Sequence, residues 1–537
     1  MVSFKNIKYI IKILKNALEI LTLFLTLIIY FSSNWIKKTY DNISLNEICF
    51  HLFSPVKGTE KTILYSYINK SIIPSLFYSI IIIFLIYKIH INIIKNKNLI
   101  LGIKKLNFIN ILEIVERNKD YILNFSILKK KLKLKIKKNL IKIFITILKF
   151  CFIFTLISHS IKILNLEKYF DTLQKKSNFI KENYVDPKKI KLSFPKKKRN
   201  LIYIFIESFE SSFFSKELGG NEKENLLEPL LNIMETGINF SNSKKYGGAY
   251  SVSGTTFTTA GIVSQSLGIP LKIKPNIINY NKSHTHFFKN IYGLGNILEK
   301  EGYQQFFLIG SDRKFGNRDI LMKEHGNYKI FDYYTAIQKK YINPKYKKWW
   351  GFEDDKLFKI AKEKLLKLQN KNIPFNLTIL TSNTHFPDGY IEEGYIRKFQ
   401  DRYSDAIYCS CLQIENFIEW LKKQKLYENT TVVLCGDHLS MDKTHFAKYN
   451  KSFKRTIFNL FLNSKTKPIS TKNRVFTSFD MFPSTLASMG VKIEREQLGL
   501  GVNLFSNKKT LAEQYGIDYI NKEIQKENLF YNLYFNS

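Results

Sequence analysis

Three apolar stretches near the N-terminus constrain this chain more than any other feature, because each is long enough to cross a bilayer. A spanning helix needs about 20 predominantly apolar residues, since hydrocarbon offers no water to satisfy backbone polar groups. The stretches run from Ala17 to Ile36, from Ile72 to Ile94 and from Ile141 to Leu164. No small-residue cleavage site follows the first, and Asn34-Trp35 reads as an interfacial end, so it is taken as a span rather than a cleaved leader. Lys5, Lys8, Lys12 and Lys15 precede the first stretch. Lys129, Lys130, Lys131, Lys133, Lys135, Lys137 and Lys138 stand between the second and third. Positive charge flanking spans stays on the cytoplasmic side, so three spans put everything after Leu164 on the far side of the membrane.

The remaining length demands a second folded unit. A chain of 537 residues exceeds what one hydrophobic core usually supports. The expected organisation is a membrane domain over 1–165, a Lys-rich linker or juxtamembrane arm over 166–199, a catalytic domain over 200–509 and a tail over 510–537. The formal net charge is +38, from 83 Lys+Arg against 45 Asp+Glu. Such a balance also fits nucleic-acid binders, but no reader motif for them occurs, and Lys is abundant everywhere along with Ile, Asn, Phe and Tyr. Nucleic acid is therefore not an expected partner; anionic lipid headgroups, which attract juxtamembrane Lys, are. The five cysteines form no CxxC pair and read as small buried side chains.

From Asn200 onward, short apolar runs alternate with helix-length amphipathic stretches, which predicts an α/β domain with a mostly parallel sheet. Ligands in such sheets sit beyond the carboxyl ends of the strands. Leu201–Ile206 ends in Glu207-Ser208. Phe306–Gly310 ends in Ser311-Asp312 and leads to Arg318. Phe375–Leu380 leads to His385, and Thr430–Gly436 ends in Asp437-His438. Four runs thus deliver acid, base and guanidinium groups to one predicted rim. The stretch from Gly254 through Thr255, Thr256, Phe257, Thr258 and Thr259 precedes a helical pattern, so hydroxyls lie where free N–H groups and the helix dipole favour an anion.

This set suits phosphoryl transfer. Glu207, Asp437 and His438 offer a hard, mixed donor set for a divalent ion such as Zn²⁺ or Mn²⁺. An ion there would lower the proton affinity of a threonine hydroxyl. Arg318 carries a bidentate fork for phosphate oxygens. His385 has the chemistry to protonate a leaving alkoxide or to hold a hydroxyl. P-loop, dinucleotide-binding and GxSxG motifs do not occur.

The stretches NLIYIFIESFE (Asn200–Glu210), GTTFTTAGIVSQSLGIPL (Gly254–Leu271), FGNRD (Phe315–Asp319), WGFEDDKLF (Trp350–Phe358), NTTVVLCGDHLSM (Asn429–Met441), and DMFPSTLASMGV with LGLGVNLF resemble, in order, those of a known family. It is the alkaline-phosphatase/sulfatase superfamily of lipid-headgroup transferases, most similar to the phosphoglycerol transferases of periplasmic glucans and to lipoteichoic acid synthases. The C/S-x-P-x-R stretch of plain sulfatases is not present, since Thr255 is followed by Thr256-Phe257-Thr258-Thr259. The resemblance implies a nucleophilic Thr255, with Thr256 and Thr258 as neighbouring choices. It implies metal ligands at Glu207, Asp437, His438 and Thr255, and headgroup contacts from Arg318, Trp350 and His385.

It further implies a multi-pass enzyme of the bacterial inner membrane with its catalytic domain on the periplasmic side. The expected metal is Mn²⁺, with Zn²⁺ or Mg²⁺ as alternatives. The expected reaction moves phosphoglycerol from phosphatidylglycerol to a glycan or lipid-linked acceptor through a phospho-Thr intermediate. The alternatives are phosphoethanolamine transfer to lipid A or a surface glycan, and a membrane protein that binds but does not catalyse.

Overall fold

The computed structural model describes residues 4–40, 43–53, 58–95, 98–99, 109–117, 120–127, 130–272, 286–371 and 373–535. Lys129 therefore lies outside the described residues. Contacts divide the chain into two units, one of Met1–Lys38 with Lys61–Glu167, the other of Thr39–Glu60 with Lys168–Ser537.

The first unit is apolar. Helices over Tyr9–Thr39, Lys61–Leu85 and Ile143–Ile163 are long and apolar enough to cross a membrane. Polar contacts tie them: Ser33 Oγ to Ser160 Oγ (3.1 Å) and Lys149 Nζ to Glu19 (2.9 Å). The described part of the basic run divides between a strand and the third helix, which opens at Lys138. Lys130–Lys137 forms the last strand of an antiparallel sheet with Asn98–Leu99, Ile109–Arg117 and Asp120–Ile127.

The second unit carries, among its described residues, a seven-stranded sheet. Its strands are β1 (Asn200–Ile206), β2 (Gly248–Ala249), β3 (Gln304–Ile309), β4 (Lys329–Phe331), β5 (Phe375–Leu380), β6 (Thr430–Gly436) and β7 (Ile457–Leu462). The spatial order is β2-β7-β6-β1-β5-β3-β4. Strands β6, β1, β5, β3 and β4 pair in parallel, while β7 runs antiparallel to β6. This is the expected mostly parallel sheet. Its strands read as continuous apolar runs because both faces are covered. Leu201, Tyr203 and Phe205 enter one core and Ile202, Ile204 and Ile206 the other. The helices that matter below are α1 (Leu45–Phe53), α2 (Thr258–Leu267), α3 (Arg318–Glu324), α4 (Asp354–Leu368) and α5 (Arg402–Lys422).

Two segments differ from their expected placement. Thr39–Glu60 does not stay with the apolar helices but packs in the α/β unit. The segment expected as an arm is folded onto that unit from Lys168, because Phe179, Ile180 and Ile190 bury there and Leu192–Ser193 pairs with Lys492–Ile493. The C-terminal segment packs too, through buried Ile520, Ile524, Tyr531 and Phe535. It joins the 177 region through Asn528 Nδ2 donating to the Ser177 carbonyl (2.8 Å). Of the cysteines, Cys409, Cys411 and Cys435 are buried as expected, Cys49 is half-buried and Cys151 exposed.

Ile204 lies at 0 % exposure on the central strand. Ile204→Ala should destabilise the α/β unit by about 2–5 kcal/mol through lost burial and a residual cavity. Its unfolding transition, followed by denaturant titration of the full chain, reads the effect.

Candidate active site

Parallel register explains the convergence of the strand ends. Gly436 of β6 pairs with Ile206 of β1, so the next residues, Asp437 and Glu207, leave the sheet side by side. Leu380 of β5 pairs with Phe205, and Thr381 follows it onto the same rim, where its Oγ1 accepts from the Glu207 N–H (3.1 Å). Ser208 makes the turn possible. It takes a left-handed backbone (φ 51°), a conformation costly for a residue with a Cβ. Its N–H donates to Asp437 Oδ1 (2.8 Å) and its hydroxyl donates to Glu207 Oε1 (2.7 Å). One elbow thereby orients both carboxylates.

Glu207, Asp437 and His438 offer ligand atoms that all lie within 4.8 Å of one another, and all three residues are buried. Asp437 Oδ1 accepts from the N–H groups of Ser208 and His438, whereas Oδ2 is buried and accepts no hydrogen bond among the described residues. The His438 Nδ1 sits 2.8 Å from the Leu439 carbonyl, which leaves Nε2 facing the carboxylates, 3.3 Å from Glu207 Oε1. Burial and the negative charge of Glu207 push Asp437 up to about 7. Against their burial, Glu207 is held low at about 2 by His385 and His438, and His438 is pushed up to about 10 by Asp437 and Glu207. Two buried carboxylates with a bare oxygen between them and an imidazole nitrogen aimed inward fit a divalent cation.

The threonine nearest this cluster is Thr258, not Thr255. Thr258 opens α2 and stands 3.2 Å from Glu207 Oε2, to which its hydroxyl donates, and 3.4 Å from His438 Nε2. Thr255 is fully buried; its hydroxyl donates to the Val252 carbonyl (2.8 Å) and accepts from the Val252 N–H (3.0 Å). Its oxygen closes a local turn, and the structure does not bring the Thr255 hydroxyl to the carboxylate cluster. Thr259 donates to the Gly316 carbonyl (3.0 Å), tying the threonine turn to the one before α3.

Helix α2 is seated tightly on the end of β6. A Cβ on Gly261 would come 2.2 Å from the Asp437 carbonyl oxygen, so only glycine permits this approach. Gln265 Nε2 donates to the Gly436 carbonyl (2.8 Å), and its Oε1 accepts from the Tyr203 hydroxyl (2.8 Å).

Arg318, His385 and Trp350 line the same rim. Arg318 is buried, and its Nη2 donates to Ser311 Oγ (3.1 Å) and the Asp312 carbonyl (3.0 Å). Burial lowers it to about 10, while Glu207, Asp312, Asp319 and Asp437 oppose that fall. His385 packs against Trp350 with ring centroids 4.4 Å apart and the rings tilted by 50°, and Phe315 lies 5.3 Å from Trp350. Burial pushes His385 below its ordinary value, against the pull of Glu207. The Trp350 Nε1–H is buried without a partner among the described residues.

Several supporting residues escaped sequence reasoning. Asp354 at the start of α4 accepts from the N–H groups of Ser382 and Asn383, both at 2.9 Å, and so shapes the loop that carries His385. Its place in an amphipathic helix gave no cue. Glu210 accepts from the Ser440 N–H (2.9 Å) and pairs with Arg455 (2.7 Å), bracing the turn after His438. Ser208 was visible in the motif but carried no signal of its left-handed turn.

A sulfatase family model matches residues 199–491, and the chain belongs to that family. Phosphoglycerol transferase I of Salmonella arizonae is 33% identical over 292 residues, covering 52% of this chain and 36% of that protein. Its counterpart in Salmonella typhimurium is 32% identical over the same shares. The chain thus spans about a third of the length of these curated relatives. Among solved structures, the integral membrane protein lipooligosaccharide phosphoethanolamine transferase A from Neisseria meningitidis shares the fold. Its TM-score is 0.50 at 12% identity, with 88% of this chain and 84% of that one covered.

Asp437→Asn removes a charge and keeps the shape. It should weaken Mn²⁺ binding by about tenfold or more, as loss of a ligand or its close support does in other metal sites. Isothermal titration of the full chain with Mn²⁺, and separately with Zn²⁺, reads this.

Proposed function

We propose that this chain is a membrane-bound phosphotransferase that moves phosphoglycerol from a phospholipid, phosphatidylglycerol, to a hydroxyl of a glycan or lipid-linked acceptor. The observation that carries the reading is the Thr258 hydroxyl at the N-terminus of a ten-residue helix, 3.2 Å from Glu207 and 3.4 Å from His438. Free N–H groups at that terminus favour a phosphate beside the hydroxyl. The choice of phosphoglycerol rests on the relatives at 33% identity.

A divalent cation held by Glu207, Asp437 and His438 would polarise a phosphoryl oxygen and lower the proton affinity of the nearby hydroxyl; Mn²⁺ is our choice. Thr258 Oγ gives up its proton and bonds to phosphorus, the bond to the diacylglycerol oxygen breaks, and that oxygen takes up one proton, so diacylglycerol leaves as the alcohol. Glu207 Oε2, which accepts the Thr258 hydrogen bond, orients the attacking lone pair. Arg318 faces the phosphate. His385 and Trp350 hold the glycerol hydroxyls, the unpartnered Trp350 Nε1–H serving as a donor. An acceptor hydroxyl then attacks the phospho-Thr, loses its proton, and Thr258 Oγ regains one. The basic flanks of the apolar helices support an inner-membrane setting with this site on the periplasmic side, near its lipid donor.

Thr258→Ala should lower release of labelled diacylglycerol from fluorescent phosphatidylglycerol by at least about a thousandfold, as removal of a covalent nucleophile does. Thr255→Val should cost about 1–3 kcal/mol of stability, by leaving the Val252 groups unpaired, and leave turnover measurable. The reverse ranking would refute Thr258 as nucleophile. Release from phosphatidylethanolamine alone would move the donor assignment, and silence with both lipids would refute the reaction.

A further inference from the structure

We propose that the segment Thr39–Glu60, between the first two apolar helices, forms a wall of the transfer site, with Glu47 as the residue that positions its threonine turn. This rests on the reading of Thr258 above. It adds a part that the family match over 199–491 does not contain.

Helix α1 starts at a Ser44 cap, whose Oγ accepts from the Glu47 N–H (3.2 Å). Glu47, Phe50 and His51 then fall on one face, three and four residues apart. That face turns inward: Glu47 and Phe50 are each 1 % exposed, while Leu52 on another face is 72 % exposed. Glu47 Oε2 accepts from Thr256 Oγ1 (3.1 Å). The Phe50 ring lies 4.9 Å from Phe257, and the His51 ring lies 5.5 Å from Phe257 and 6.1 Å from Phe315.

The ends of the segment reach two further loops. The Tyr40 ring packs 5.3 Å from Phe386, beside His385, and its backbone bridges Asp442, four residues past His438. At Gly58 a Cβ would stand 3.0 Å from Asp312 Cβ. One short segment therefore touches the threonine turn, the turn before Arg318, the His385 loop and the loop after the Asp-His pair.

The buried Glu47 carboxyl, bonded to the Thr256 hydroxyl and to the Ser44 backbone N–H, is a poor source of stability, because burying such a group costs about as much as its hydrogen bonds return. Its effect is geometric. Thr256 is two residues from Thr258, so fixing its side chain fixes the start of α2 and the direction of the Thr258 hydroxyl. Catalytic groups are sensitive to such displacement, since an error of about 1 Å costs about a hundredfold in rate.

The test uses the full chain in phosphatidylglycerol nanodiscs. Hydrogen exchange over residues 250–262 should quicken in Glu47→Ala and in Thr256→Val, with no further gain in the double variant, while β6 is unchanged. Glu47→Gln, whose amide oxygen still accepts from Thr256, should behave like wild type. Glu47→Ala should also lower kcat by about tenfold to a hundredfold with little change in KM or in Mn²⁺ affinity. Wild-type exchange and kcat in Glu47→Ala, or additive effects of the two variants, would overturn the proposal. If Glu47→Ala does not fold, Thr256→Val and Glu47→Gln carry the same comparison. If wild type turns over neither lipid, the reaction assignment falls, and exchange alone decides for or against the clamp.

Discussion

Two buried carboxylates side by side set the terms for the rest of the α/β unit. Glu207 and Asp437 leave neighbouring strands at matched register, and their oxygens come within 4.8 Å of each other and of His438. At an effective dielectric constant of about 20, two unit charges that close repel by roughly 3.5 kcal/mol. Burial adds to that cost for each charge. The protein meets it with positive and hydrogen-bonding partners: the Ser208 hydroxyl and N–H, the His438 N–H and ring, and Arg318 within reach of both charges. Asp437 Oδ2, which accepts no hydrogen bond among the described residues and lies 3.5 Å from His438 Nε2, is where a cation would complete the balance.

The surrounding structure serves to hold that pair still. The left-handed turn at Ser208 is a strained conformation, and the hydrogen bonds it makes to both carboxylates keep it in place. Gly261 lets α2 approach the Asp437 carbonyl at a distance no other residue allows, and Gln265 fastens the same helix to the end of β6. Asp354 and Glu210 brace the loops on either side from beneath. The loops at the rim are thus tied to strand ends, to helix starts and to one another, which holds the site in place.

Much of this was legible in the order of residues. Continuous apolar runs ending in Glu207, His385 and Asp437-His438 identified β1, β5 and β6 and the edge where their chemistry gathers, because a parallel sheet presents all its carboxyl ends together. The threonine run was legible as a feature but not residue by residue. Thr255 and Thr258 are chemically the same side chain, and only the turn at Gly254–Phe257, followed by a helix opening at Thr258, separates an oxygen that closes a turn from one that faces Glu207. The segment Thr39–Glu60 fell inside the expected membrane domain over 1–165, since nothing in nearest-neighbour pattern reports a contact across some 200 residues of chain, as Glu47 makes with Thr256.

The sequence by itself determined the three apolar helices, the mostly parallel α/β sheet and which polar residues stand at its edge. Those follow from local periodicity, from length against bilayer thickness, and from which residue ends each apolar run. Tertiary structure alone decided which threonine faces the carboxylates, how Ser208 joins Glu207 to Asp437, and that Glu47 and the folded segments flanking the domain belong to it. Those depend on register, on a backbone turn of unusual hand and on packing between residues far apart in the chain, and none of the three leaves a periodic trace.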